Sequence, residues 1–231
     1  MNLSTFKQVI RAEVPGAKIA VVGEDFLTTL INMGVDDVNA IAAAYRGDEK
    51  FDAEAEKQTY LFSAIITDYV CMAPGGLWWN QGTALSPNWK QLDGLTRNSM
   101  SSLWPQWLNA SSNSPLNYFT ENNNLIINPK PSADLTDGFW AFYVKKAVAM
   151  SSGGHYPFSG STTEITSLSV LDEAIVDYVR WKLARPLGQA QQGVITEQDY
   201  RKNLFEKIIL LNRRLDVTSN PRLRMRGPNF G

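Results

Sequence analysis

Few residues in this chain are of the types that carry covalent chemistry. There is one histidine, His155, in the Gly-rich stretch at 151–161, so a His-based triad or a His-rich metal site would have to be built around it alone. The one cysteine, Cys71, sits in an apolar run at 69–72 and reads as a small buried residue, not a reactive thiol. No Gly-x-Ser-x-Gly elbow and no Gly-x-x-x-x-Gly-Lys phosphate loop occurs. Carboxylates adjoin at Glu24-Asp25, Asp36-Asp37 and Asp172-Glu173, and lie close at Glu54 and Glu56. Each set falls on a predicted solvent face or at a helix start, where negative charge is favoured. Paired acid/base catalysis would need a cleft and a raised pKa, and the sequence signals neither. The expectation is a protein with no catalytic residues, no metal and no cofactor.

Residues suited to recognition are more plentiful. Of seven tryptophans, Trp78-Trp79 follow Gly75-Gly76, Trp89 is close to Pro87, and Trp104 and Trp107 flank Pro105. Such rings can close the core of a small sheet, stack against sugars, or anchor a protein partner. Trp78 and Trp79 are the best interface candidates, because neighbours on a strand point to opposite faces. Basic residues gather late. Arg201, Lys202, Lys207, Arg213 and Arg214 read as a solvated helix face, whereas Arg222-Leu223-Arg224-Met225-Arg226 alternates like a strand. With Phe230, that segment would dock on a partner's sheet or groove by backbone pairing, or meet DNA phosphates.

The chain of 231 residues is 44% hydrophobic, enough for a sizeable core, and its formal charge of -1 provides no global polycation for nucleic acid. The first residues lack a long apolar segment, so no signal peptide is expected, and no apolar run approaches the ~18–20 residues of a membrane span.

The elements that must position these residues fall into three parts. Ser4 is expected to cap a short helix ended by Pro15-Gly16. Apolar spacings of three and four at 25–45 predict two helices or one bent at Gly34, with Gly47 as the stop. From 58 to 150 the period changes. Runs at 60–66, 67–72, 125–127 and 139–144 read as strands, and 92–108 as a short helix crossing the sheet and broken near Pro105. Helix returns at 166–184, and again after Thr196, which Asp199 answers as a capping box. In that last helix Tyr200, Leu204, Ile208, Leu211 and Leu215 form one apolar face. The predicted class is α+β: N-terminal helices of a bundle at 1–57, a sandwich-like β-rich insertion at 58–150, C-terminal helices of the same bundle at 151–215, and an extended arm at 216–231. Leu171, Ile175 and Tyr178 are expected to pack on Leu204, Ile208 and Leu211.

One block carries a likeness. Residues 112–146 run from Pro115-x-x-Tyr118 through a polar turn at 121–124, the apolar strand at 125–127, Pro129-Lys130-Pro131, and an aromatic strand at 139–144. Residues 26–43, with Leu30-x-Asn32-x-Gly34, then 56–61 and 168–185, extend the likeness in order across roughly 25–185; a proline usual after Tyr60-Leu61 is replaced by Phe62. In this ordered set the chain resembles the head-to-tail adaptor proteins of tailed bacteriophages. The resemblance implies a helical bundle carrying a β insertion, and a structural, non-enzymatic role in the virion neck after assembly in the host cytoplasm. It further implies a ring of about twelve copies joined by heterologous contacts between portal and tail, with DNA passing through the channel. The partners would be the portal protein, neighbouring copies and further neck or tail proteins, with the C-terminal segment reaching the portal. The competing readings are a sugar-binding virion or surface protein, using the Trp-rich insertion, and a small hydrolase dependent on His155.

Overall fold

The structure, a computed structural model, describes residues 1–18, 21–188 and 192–218. In chain order the elements are α1 (Leu3–Glu13), α2 (Glu24–Ala42), β1 (Arg46–Ala53), β2 (Thr59–Leu61), α3 (Phe62–Ile65) and β3 (Tyr69–Asn80). Then come β4 (Trp89–Gln91), β5 (Asp93–Gly94), α4 (Arg97–Leu103), a 3-10 turn (Trp107–Asn109), β6 (Asn117–Glu121), β7 (Asn124–Asn128) and β8 (Leu135–Lys145). A second 3-10 turn (Thr166–Leu171) leads into α5 (Asp172–Lys182), α6 (Ala184–Leu187) and α7 (Glu197–Thr218). The class is α+β, as the sequence pattern predicts.

Helix starts follow local chemistry. The cap of α1 is Asn2, not Ser4: its Oδ1 accepts from the Thr5 N–H at 3.0 Å, and Ser4 already lies inside the first turn. Thr196 and Asp199 form the reciprocal box before α7, with each backbone N–H donating to the other's side chain at 3.2 Å. Gly34 does not break α2, which is one helix. The glycine is needed because a Cβ there would lie 3.0 Å from Tyr178 Cδ1 and 3.4 Å from Ile175 Cγ2, so it lets α5 approach. The stop is Ala43, in a left-handed conformation at φ 47°, while Gly47 lies in β1.

The described chain divides into two units, 46–145 and the rest. The β-rich part therefore begins at Arg46 instead of 58, and ends at Lys145 instead of 150. Its first strand, RGDEKFDA, is too charged to read as a strand, yet it pairs antiparallel with β8 from Arg46↔Val144 to Ala53↔Leu135. The helical unit buries Leu171, Ile175, Tyr178, Leu204 and Leu211 in one core with Leu30, Ile31 and Val38, and Ile208 packs on it half-buried. Because α7 continues to Thr218, positions 216–218 are helix and not arm.

The β unit holds two four-stranded sheets, ordered β1-β8-β3-β4 and β2-β7-β6-β5. Their inner faces share one core: Phe51, Leu77, Trp79, Phe139 and Tyr143 from the first, with Tyr60, Tyr118, Leu125 and Ile127 from the second. Tyr118 needs room. Gly76, at φ +61°, would place a Cβ 2.6 Å from its hydroxyl oxygen, and Gly94 one at 3.0 Å, so these two glycines admit that ring. The outer face of the second sheet is covered: Phe119 and Ile126 pack under Met100 of α4 and Trp107. The expected strand at 60–66 is cut short, because Phe62 begins the one-turn helix α3. The expected strand at 67–72 instead runs through the glycines to Asn80.

Candidate functional site

Alternation along β3 separates the two interface candidates. Trp79 turns inward, 8% exposed, with its ring 5.0 Å from Phe139. Trp78 turns outward and remains half-buried. On the outer face it lies opposite Trp140 of β8, and β4 brings Trp89 to the same face, paired with Asn80. The Trp140 ring lies 5.5 Å from Trp89 and 4.6 Å from Phe142, two residues along β8. Three indoles and a phenyl thus share one sheet face.

The face is held in place. Trp78 Nε1 donates to Gly75 O at 2.9 Å and Trp140 Nε1 donates to Asp48 Oδ2 at 2.9 Å, so two indole N–H groups are satisfied within the protein. Lys50 Nζ lies 5.5 Å from the Trp89 ring centre and 5.4 Å from that of Trp140. Asn80 shapes the loop that carries Trp89, because its Oδ1 accepts from the N–H groups of Gly82 and Asn88, both at 2.9 Å. Such a surface can bury large rigid rings against a partner at little entropic cost. Sequence reasoning found Trp78 and missed Trp140, Phe142 and Lys50. The signal for the first two was present, since residues two apart on the aromatic strand share a face.

A second apolar patch lies in the helical unit, where α7 exposes Phe205 at 61%, Leu210 at 42% and Ile209 at 38%. The nearby basic residues are in part paired: Arg201 Nε meets Glu197 Oε1 at 2.9 Å and Lys207 contacts Glu173. The proposed arm residues Arg222, Leu223, Arg224, Met225, Arg226 and Phe230 lie outside the described residues.

Groups singled out for chemistry are placed as follows. Cys71 is exposed, not buried; partial desolvation pushes its thiol up, away from the reactive thiolate. His155 Nδ1 accepts from the Ser151 N–H at 3.4 Å. Among the described residues no cluster of three or more His, Cys, Asp or Glu is placed to hold a metal, and no helix is long and apolar enough to cross a membrane.

Asp172 sits at a helix start, as expected, since it opens α5, but it is buried there. It is 6% exposed, Oδ1 has no hydrogen-bond partner, and Oδ2 contacts the Met1 amino group. Burial pushes its carboxyl up to about 6, and the Met1 ammonium offsets only part of that. With the folded value above the unfolded one, the protonated acid stabilises the fold below about pH 4, and that contribution disappears as pH rises through about 6. Asp172→Asn should therefore gain stability relative to the parent by about 2–3 kcal/mol between those limits, read by urea unfolding at both pH values. A pH-independent difference would place the ionised carboxylate in water.

A scan of the sequence against protein-family models and a search of curated proteins each returned no match.

Proposed function

We propose that the protein is a structural adaptor of the head-to-tail kind: a ring of about twelve copies between portal and tail in the virion neck, enclosing a DNA channel and acting by binding alone. The observation that carries this reading is the aromatic outer face of the β1-β8-β3-β4 sheet. The β unit covers the outer face of its other sheet with its own helix and turn, but presents Trp78, Trp89, Trp140 and Phe142 on this one. Aromatic anchors of this kind concentrate binding energy at protein interfaces. Ring closure also needs two unlike patches on each protomer, since head-to-tail contacts are heterologous. The apolar patch of α7 supplies a second one.

The test is assembly with the portal. The parent protein should form a symmetric ring on portal particles in negative-stain images, even if it stays monomeric alone, because the portal offsets the cost of ordering an interface. Trp89→Ala with Trp140→Ala should weaken ring formation by at least roughly thirtyfold, the equivalent of one anchor worth about 2 kcal/mol. Deleting 219–231, which leaves α7 whole, should keep the melting temperature and abolish attachment to the portal. A parent protein that ignores portal particles sinks the proposal.

A further inference from the structure

The cover over the second sheet does more than fill space. Trp107 packs edge-on against Phe119 with ring centres 5.3 Å apart, its Nε1 donates to Ser101 Oγ at 3.2 Å, and its carbonyl accepts from Gln58 Nε2 at 3.0 Å. The chain then runs on to Asn113, whose N–H donates to Lys130 O at 2.8 Å. Fixed at both ends, this segment encloses a groove of about 650 Å³ against the end of β7, within the range of about 300–1,000 Å³ usual for small-molecule sites. Its wall includes Leu103, Trp104, Asn109, Ser111, Asn128 and Pro129, and no lining residue carries a charge.

Two features of that wall are unusual. Trp104 is 45% exposed, so much of its ring is free to meet a ligand. Asn128 is 2% exposed, yet its Oδ1 has no hydrogen-bond partner. A buried acceptor left without a donor bears its full desolvation cost, and because this oxygen is shielded, a turn of the Asn128 side chain toward the groove is what lets a ligand O–H or N–H relieve it. The backbone offers little to compete: the N–H groups of Trp104, Trp107, Asn109, Ala110 and Asn113 already bond to carbonyls of the same unit. An extended peptide, which binds through backbone pairing, finds few donors here. What remains is an aromatic face beside neutral amides and a hydroxyl, groups that can each meet a ligand O–H.

We propose that this groove binds a neutral saccharide, with Trp104 against the C–H face of a sugar ring and Asn128 and Asn109 taking its hydroxyls. The site is separate from the aromatic sheet face and does not depend on ring assembly.

The test titrates the full chain with neutral oligosaccharides of glucose, mannose, galactose and N-acetylglucosamine, and with a proline-rich peptide, following indole N–H resonances by NMR. At least one saccharide should move the Trp104 indole while leaving that of Trp89 in place. Trp104→Ala, at an exposed position, should weaken binding at least about tenfold with an unchanged melting temperature, and Asn109→Ala should weaken it as well. Trp89→Ala should have no effect. The proposal is overturned if no saccharide moves the Trp104 indole, if only the peptide binds, or if binding survives in Trp104→Ala.

Discussion

Phe139→Ala is expected to destabilise the β unit by about 3–5 kcal/mol, the cost of removing a buried aromatic ring and leaving its cavity. Phe139 is fully buried in the middle of β8, where it pairs with Phe51 on one side and Trp79 on the other. Its ring lies 5.2 Å from Phe51, 5.5 Å from Tyr60 and 5.0 Å from Trp79, so no neighbour can relax into the space without leaving another contact. A loss of this size is a large part of the roughly 5–15 kcal/mol that holds a typical domain together. Urea unfolding followed by tryptophan fluorescence reports on this unit, because every tryptophan except Trp181 lies within 46–145. A change below about 1 kcal/mol would show that the two sheets are not packed around this ring.

Leu204→Ala should cost the helical unit about 2–5 kcal/mol. Leu204 is 1% exposed on α7 and belongs to the core that includes Leu171, Ile175 and Tyr178. One turn before it, Tyr200 is fully buried, stacks on Trp181 at 5.5 Å and donates its hydroxyl to Asp37 Oδ2 at 2.5 Å. That anchored turn prevents α7 from shifting to fill the gap, which favours the upper part of the range. Far-ultraviolet circular dichroism during urea unfolding measures it. A loss well under 1 kcal/mol would mean that this face of α7 is not packed.

The helices were legible because their apolar residues keep a period near 3.6, although two of their ends were misplaced, at Asn2 before α1 and Ala43 after α2. Thr196 with Asp199, and the face of Tyr200, Leu204, Ile208 and Leu211, needed no distant partner to be recognised. The strands were harder. β1 is mostly charged and becomes a strand only because β8 gives it a partner more than eighty residues away. The boundary of the β unit was misplaced with it. Phe62 looks like the continuation of a strand, but it seeds a turn of helix once its ring can stack on Tyr69 at 4.1 Å. The site was half visible. Tryptophan positions mark an aromatic surface, yet which ring turns outward depends on strand phase, and the companionship of Trp78, Trp89 and Trp140 depends on strand order. The unpartnered Asn128 had no sequence signal at all, since it arises from how a loop closes over the end of β7.

The pairing of Arg46 with Val144 has a consequence for how a gene could handle this protein. The first and last strands of the β unit are antiparallel neighbours, so the points where the chain enters and leaves it are separated by about the spacing of one strand pair, roughly 5 Å. Bridging such a gap needs only a short turn, and the entropy of closing it is small. Residues 46–145 are therefore a cassette: a DNA segment encoding them can be cut out and Tyr45 joined to Lys146 by a few residues, or placed in a surface loop of another protein, with neither host asked to hold distant ends together.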